Sequence, residues 1–166
     1  MHNRSVPVDS LLPHLVYRNV AEAGAWLTRV FGFTELYRYG DPVSGIQMRL
    51  GNAVIMISGP REGRESPAVA GSCTQMLTVF LLDNVLDNVD PASVDAHYAR
   101  TRQQGAMIVE ELNETIYGER QYGVLDLDGH RWLFSQHARD VNPTEWGATL
   151  AAPLTPPITP PEASTS

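Results

Sequence analysis

The chain has 166 residues, the length of one globular domain or of two small halves that share a core. Hydrophobic residues make up 43% and charged residues 19%, which is typical of a folded protein and excludes a disordered or fibrous one. The formal charge is −7 and all 12 basic residues are arginine. The sequence therefore offers no basic patch for nucleic acid and no lysine for Schiff-base or phosphate-loop chemistry.

Cysteine content and hydrophobic runs indicate the cellular setting. Cys73 is the only cysteine, so one chain can form neither a disulfide nor a thiolate metal cluster. Aliphatic runs such as Ala53 to Ile57 have the length of a strand and are too short to span a bilayer. The first ten residues lack the apolar segment of a secretory signal. We therefore expect a cytoplasmic protein with neither membrane nor nucleic acid as a partner.

Composition divides the chain into five segments. Residues 1–10 form a polar leader, residues 59–74 a linker rich in Gly, Pro and Ser, and residues 138–166 a proline-rich tail. The segments 11–58 and 75–137 between them carry the hydrophobic patterning of a core. Within the tail we expect Trp146 to dock on the body or on a neighbouring subunit, because a large aromatic in a polar segment is often an anchor.

The segment 11–58 predicts a strand, a helix and three further strands. An apolar strand runs from residue 11 to 17, and Asn19 with Glu22 three residues later forms a capping box that opens a helix. Gly32 ends that helix. Strands over 35–38, 46–50 and 53–58 follow, and the turn Gly51-Asn52 joins the last two.

The segment 75–137 repeats this order. A strand over 75–82 leads to a helix that opens at Asp90-Pro91 and ends at Gly105, and strands over 106–110, 120–125 and 131–136 follow. The pattern βαβββ thus occurs twice, and each copy must cover one face of its sheet with the other copy or a partner chain. We predict an α+β fold in which two tandem βαβββ modules curl their mixed sheets into a cup, with the helices outside.

Several short motifs follow one another in this duplicated pattern. They are the helix entrance Arg18-Asn19-Val20, the helix end Phe31-Gly32-Phe33, the segments Gly51–Met56 and Tyr117–Tyr122, and the turn Asp126-Leu127-Asp128-Gly129-His130. With them the chain resembles the vicinal oxygen chelate superfamily of glyoxalases, bleomycin-resistance proteins, fosfomycin-resistance enzymes and extradiol dioxygenases. The likeness covers roughly residues 11–137 and is greatest to the PhnB-like or glyoxalase-like branch.

The resemblance implies four inward positions that hold a divalent ion in the metal-dependent members, on the first and last strand of each half. They align with Leu12, Met56, Leu77 and Leu133. These side chains cannot replace the imidazole and carboxylate ligands of Zn²⁺, Fe²⁺ or Mn²⁺. A shift by two residues keeps the inward face and substitutes His14, Val54 or Ser58, Gln75, and Arg131 or Ser135. Because only His14 of this second set is a good ligand, we predict no metal and no cofactor.

Alternation along the strands predicts which side chains line the cup. The candidates for ligand contact are His14, Gln47, Arg49, Met56, Gln75, Leu77, Arg120, Tyr122, Arg131 and Leu133. The inward set also includes Val16, Val54, Ser58, Val79 and Ser135. The side chains expected to face the helices are Leu15, Tyr17, Met76, Phe80, Trp132 and Phe134. Apolar walls with a few polar groups are typical of a small-molecule pocket.

The polar candidates also have structural interpretations. His14 can donate, accept or titrate near neutral pH, or can be a hydrogen-bonded wall residue. Arg49, Arg120 and Arg131 suit a carboxylate or phosphate clamp, or surface pairing with Asp and Glu. Tyr122 suits stacking on a flat ligand, or ordinary core packing.

The acidic residues near the sixth strand also allow two interpretations. They are Glu110, Glu111, Glu114 and Glu119. Their charge could attract a cationic ligand, but so many charges in a strand and its loop favour a solvated edge that discourages aggregation.

Three functions are open at this point. The leading hypothesis is a glyoxalase/bleomycin-resistance-like protein that binds a small organic molecule in a cup without the family's metal ligands. The alternative is a metal-dependent lyase, isomerase or dioxygenase of the same superfamily. The third is a metal-free enzyme that uses His14 or a tyrosine as acid or base, and no catalytic residue is assigned. Because chains that resemble this one commonly pair so that the cup is completed across a dimer, we predict a homodimer.

Overall fold

A computed structural model describes residues 11–81 and 93–150 of the chain. Its elements are β1 (His14–Val16), α1 (Val20–Phe31), β2 (Thr34–Tyr39), β3 (Gly45–Leu50), β4 (Ala53–Ser58), α2 (Pro67–Ala70), β5 (Met76–Phe80), α3 (Val94–Gln103), β6 (Met107–Glu114), β7 (Glu119–Leu125), β8 (Arg131–His137) and a 3-10 helix (Pro143–Trp146). The leader, the predicted helix start at Asp90-Pro91 and residues 151–166 lie outside the described residues. None of the described helices has the length and apolar character needed to cross a membrane.

The strands form two four-stranded mixed sheets of the same topology. Their orders are β1-β4-β3-β2 and β5-β8-β7-β6. In each sheet the first strand of the module runs parallel to the last, with His14 opposite Met56 in one sheet and Thr78 opposite Leu133 in the other. The remaining neighbours are antiparallel. The predicted α+β fold of two βαβββ modules is therefore confirmed.

Local sequence signals delimit α1. The Asn19 side chain accepts a hydrogen bond from the backbone N–H of Glu22 at 3.1 Å, as the capping-box pattern predicts. Gly32 closes the helix in a left-handed conformation with φ of 83°. Gly24 allows close packing on β3, because a Cβ at this position would lie 2.6 Å from the Cδ1 atom of Ile46.

The two helices α1 and α3 pack against one face of both sheets and share a single hydrophobic core. Phe31, at the end of α1, makes edge contacts with Trp132 and Phe134 of β8, with ring centroids 5.5 Å and 4.9 Å away. All three side chains are fully buried. The helix of the first module therefore covers part of the second sheet. We call the opposite faces of the sheets, which turn away from α1 and α3, the cup faces.

A buried chain of hydrogen bonds joins α3 to this core. Nε2 of His97 donates to the carbonyl oxygen of Phe31 at 2.9 Å, because a carbonyl can only accept. Nδ1 therefore accepts from the Tyr122 hydroxyl, 2.6 Å away, and that hydroxyl lies 3.0 Å from Oγ1 of Thr101. Burial lowers the pKa of His97 to about 4, so the imidazole is neutral at pH 7.

A buried carboxylate joins the two modules. Asp126, in the turn between β7 and β8, accepts from the hydroxyl of Tyr17 at 2.6 Å and from the indole N–H of Trp132 at 2.9 Å. The backbone N–H groups of Asp128 and His130 and the ring of His130 lie 3.0 to 3.1 Å from its oxygens. Burial alone would raise the pKa of Asp126, but these hydrogen bonds outweigh it and hold the pKa below its usual value.

Tyr17→Phe removes one donor from Asp126 and keeps the aromatic ring. A hydrogen bond to a charged group contributes about 2 kcal/mol, so we expect the free energy of unfolding to fall by that amount in urea denaturation. Tyr37→Phe is the matched control, because the Tyr37 hydroxyl has no partner in the described part of the chain. It should change stability by less than about 0.5 kcal/mol. Equal losses in the two variants would show that the Tyr17 hydroxyl contributes nothing specific.

The His97 imidazole predicts a pH dependence of stability. The unfolded chain takes up a proton at this residue below about pH 6.5, whereas the folded protein resists protonation down to pH of about 4. Stability should therefore fall as the pH drops from 6.5 to 4, by about 3 kcal/mol from this group. His97→Gln keeps a donor and an acceptor but cannot titrate, so its urea midpoint should vary less over this range. Parallel pH profiles for the two proteins would contradict the prediction.

Candidate functional site

Four predicted residues lie on the cup face of the first sheet. His14 pairs with Met56, which in turn lies opposite Gln47, and Arg49 is two residues along the same strand. Gln47 and Met56 are buried, at 1% and 7% exposure, whereas His14 and Arg49 are exposed. The face thus has a buried centre and a polar rim. That these residues bind a ligand stays a prediction.

The cup face of the second sheet carries two further predicted residues. Leu133 is buried and lies opposite Thr78, while Arg131 is exposed and lies opposite Met76. The prediction that β8 turns Arg131 and Leu133 away from the helices agrees with this register, since Trp132 and Phe134 between and beyond them are in the core. These two side chains therefore share a face with the outward residues of β5.

The predicted orientation of β5 is wrong by one residue. Leu77 pairs with Trp132 and Val79 with Phe134, so both turn toward the core and away from the cup face. The side chains on the cup face of this strand are Met76, Thr78 and Phe80. Gln75 precedes the strand and is exposed. Both faces of this strand are mainly apolar. Its sequence therefore lacks the alternation of polar and apolar residues that would have shown which side chains face the core.

Arg120 and Tyr122 lie on the helix side of β7 and not in the cup. Tyr122 is fully buried against His97, which agrees with the core-packing interpretation. Burial raises its pKa above the ordinary value. The Arg120 guanidinium binds the carboxylate of Asp95 in α3 through two hydrogen bonds of 2.8 Å and 2.7 Å. Neither side chain is available to a ligand on the cup face.

A cleft of about 500 Å³ lies between the two sheets. Its walls come from the segment before β1, the start of β4 and the length of β5, and they include Leu11, Val54, Gln75, Leu77, Thr78 and Trp132. Two of the predicted contact residues, Gln75 and Leu77, therefore meet here. Val54 and Thr78 also belong to the cup faces, so the cleft borders both of them.

The inward positions do not fit a divalent metal ion. In the observed register the first and last strands of the two modules present His14 beside Met56 and Thr78 beside Leu133. One imidazole, a thioether, a hydroxyl and an aliphatic chain are not a ligand set for such an ion. Within residues 11–81 and 93–150, no three His, Cys, Asp or Glu side chains are grouped to hold a metal. A cup completed by a second copy would draw on the same four positions.

At one end of the second cup face lies Glu119, an acidic residue paired with a histidine. Glu119 accepts from the Ser135 hydroxyl at 3.2 Å and lies 3.2 Å from Nδ1 of His137, whose Nε2 contacts Asp140 at 3.0 Å. The hydrogen bonds to Glu119 and then Asp140 raise the pKa of His137. The imidazolium form of His137 is thereby favoured beside Glu119.

A second acid on this face was not among the predicted contact residues. A β-bulge in β6 places Glu110 opposite Gly123, which itself lies opposite Leu133. Gln121 donates to Oε1 of Glu110 at 3.3 Å and accepts from the hydroxyl of Tyr117 at 3.1 Å. The acidic run in the sequence was the available signal, but the bulge that turns this residue inward depends on tertiary pairing.

The tail forms an aromatic edge beside these groups. The backbone N–H groups of Ala138 and Arg139 both donate to the carbonyl of Gly118, and no side chain would fit at Gly118 because the carbonyl of Arg139 occupies that space. The tail then reaches Trp146, whose ring meets Tyr117 edge to face with centroids 5.9 Å apart. The predicted docking of Trp146 on the body is thus observed, and 39% of its surface stays exposed.

Three comparisons place this geometry among known proteins. The model of the Glyoxalase/Bleomycin resistance protein/Dioxygenase superfamily matches residues 9–134. An uncharacterized protein of Mycobacterium tuberculosis (strain ATCC 25618 / H37Rv) is 27% identical over 146 residues, which cover 86% of this chain and 83% of that protein.

Two solved structures share the fold. TioX from Micromonospora sp. ML1 is 30% identical with a TM-score of 0.62, over 78% of this chain and 98% of TioX. A bleomycin resistance determinant encoded on the transposon Tn5 is 15% identical with a TM-score of 0.57, over 78% of this chain and 98% of that protein, a likeness of fold alone. The two-module topology, the family model and these relatives together show that the chain belongs to the Glyoxalase/Bleomycin resistance protein/Dioxygenase superfamily.

Proposed function

We propose that the protein binds a small organic molecule in the cleft between its two sheets and that it does so without a metal ion. The observation that carries this proposal is the cleft of about 500 Å³, which Val54 and Thr78 border from the two cup faces and Leu77 and Trp132 from the core side. Its volume lies within the range of small-molecule sites, and its walls are mainly aliphatic with Gln75 and Thr78 as polar groups. Burial of apolar ligand surface there would supply affinity at roughly 25 cal/mol per Å².

The polar groups of the cup faces would orient such a ligand. His14 and Arg49 are exposed at the rim of one face and Arg131 at the rim of the other. An arginine pairs well with carboxylate or phosphate groups, and a histidine can donate or accept. The metal-dependent lyase, isomerase or dioxygenase alternative would instead need an ion in each cup, and the side chains His14, Met56, Thr78 and Leu133 do not favour it.

The cleft predicts the effect of filling it. Thr78 is exposed on the cup face, so Thr78→Trp should place a bulky ring in the cleft without disturbing the core. In an equilibrium binding screen of hydrophobic and amphipathic antibiotics we expect at least one ligand, whose affinity falls by at least about tenfold in this variant. Thr28→Trp, on the exposed side of α1, is the matched control and should bind normally.

The same screen tests the absence of a metal requirement. Protein purified without chelator or affinity metal should contain far less than one divalent ion per chain in elemental analysis, and dialysis against EDTA should leave ligand affinity unchanged. A stoichiometric ion whose removal abolishes binding would favour the metal-dependent alternative. Equal affinity in the Thr78→Trp and Thr28→Trp variants would place the ligand elsewhere.

We also propose that two copies associate as a homodimer in which the second copy completes the cup at the second sheet and leaves the space in front of Thr78 and Glu110 open to a ligand. Large apolar side chains lie exposed on this face, with exposures of 51% for Met76, 57% for Phe80 and 65% for Met107. Exposed apolar groups on both edge strands of one sheet face are typical of an interaction surface. Among the described strands β5 is also an edge strand, and an edge backbone is a common site of pairing with a second chain.

The proposed dimer predicts a particle of twice the 18.3 kDa chain mass in sedimentation equilibrium. Phe80→Glu should shift the protein toward the monomer by at least about tenfold in dissociation constant, because a buried charge opposes association. Val69→Glu adds the same charge at a 54% exposed site on α2 and should leave the dimer intact. A monomeric wild-type protein, or equal dissociation of both variants, would refute the assembly.

A further inference from the structure

Glu110 differs from the other glutamates of β6 and β7. Glu111 lies beside Arg102, Glu114 beside Arg139 and Glu119 beside His137. The carboxylate of Glu110 has only amide partners in the described part of the chain, from Gln121 at 3.3 Å and Asn113 at 3.5 Å. Within residues 11–81 and 93–150, it is the member of this acidic group whose carboxylate has no cationic partner.

The carboxylate lies over the sheet and not beyond its edge. Glu110 is half-buried and faces Gly123, where a Cβ would come within 2.9 Å of the Cβ of Glu110. The next residue across the sheet is Leu133, which holds one of the inward positions of the cup. Solvation of a half-buried charge is incomplete, so a cation that enters the cup gains more from this carboxylate than it would from an exposed one.

An aromatic surface adjoins this carboxylate. The side-chain amide of Gln121 accepts a hydrogen bond from the Tyr117 hydroxyl and donates one to the Glu110 carboxylate. Only 6% of the Gln121 surface is exposed. Tyr117 and Trp146 retain 40% and 39% exposure around their edge-to-face contact. A carboxylate beside exposed aromatic rings attracts a cation through both charge and the ring quadrupole.

We infer that Glu110, Tyr117 and Trp146 form a subsite for a planar or quaternary cationic group of the ligand. The inference rests on the proposed binding function and specifies its ligand class. In this subsite Glu110 supplies charge complementarity, while the two rings supply a stacking or edge contact. A neutral ligand of similar shape would keep the aromatic contact and lose the electrostatic attraction to the Glu110 carboxylate.

Two planar probes separate these contributions. Proflavine is a tricyclic cation at pH 7, and acridone is a neutral tricycle of similar size that lacks the two amino groups. We expect the full-length protein to bind proflavine at least about tenfold more tightly than acridone in fluorescence titrations. Glu110→Gln should remove most of this preference while leaving acridone affinity unchanged. Trp146→Leu should weaken both probes, because it removes the aromatic contact.

Glu111→Gln is the matched control, since it removes one negative charge from the neighbouring residue of β6, whose carboxylate contacts Tyr98 of α3. It should keep the preference for proflavine. Circular dichroism of each variant establishes that it is folded. Equal affinity of the two probes, or a preference for proflavine that survives Glu110→Gln, would overturn the cationic subsite. The proposed binding function would not be affected by that result, because the antibiotic screen with Thr78→Trp tests it separately. Binding of neither probe would overturn the subsite as well.

Discussion

The hydrogen bonds to the buried carboxylate of Asp126 set how the two sheets lie together. Tyr17 comes directly after β1 and Trp132 lies within β8, so one side chain joins the first strand of one module to the last strand of the other. Beside it, Arg18 binds Asp128 through its backbone N–H at 2.6 Å and its guanidinium at 2.7 Å. Because the hydrogen bonds from Tyr17 and Arg18 would be lost if the modules separated, this polar contact favours one arrangement over the many that apolar packing alone allows.

In that arrangement one face of each strand packs in the core and the other lines the cup. On β8, Trp132 and Phe134 fill the core while Leu133 and Ser135 face the cup, and β1 divides Leu15 and His14 in the same way. Since successive side chains point to opposite faces, substitutions in the cup need not touch the core. The superfamily fold can therefore exchange the residues of its cup while stability rests on the helix side, and function has to be argued from the cup residues themselves.

How much of this was predictable depends on whether the determining signal is local. The caps of α1 at Asn19 and Gly32 are local and were predicted to the residue. Which face of β5 turns toward the core was not predicted, because Met76 and Leu77 are both apolar and only the pairing with β8 shows which of them faces the core. Tyr122 resembles a ligand group in the sequence, yet its hydroxyl is satisfied by His97, 25 residues away. The bulge that turns Glu110 into the cup likewise arises from strand pairing, which composition does not encode.

The absence of suitable metal ligands at the inward positions and the presence of Glu110 are connected in the proposed site. A divalent ion would supply both affinity and orientation to a ligand with paired oxygen atoms. Where Met56, Thr78 and Leu133 occupy these positions beside a single imidazole, affinity has to come mainly from apolar burial, which is non-directional. Orientation then requires a charge held in a fixed place. Gly123 leaves room for the Glu110 side chain, and Gln121 holds its carboxylate, so the second sheet offers one such charge beside Leu133. In this way a cup without a metal ion would still distinguish one end of its ligand from the other.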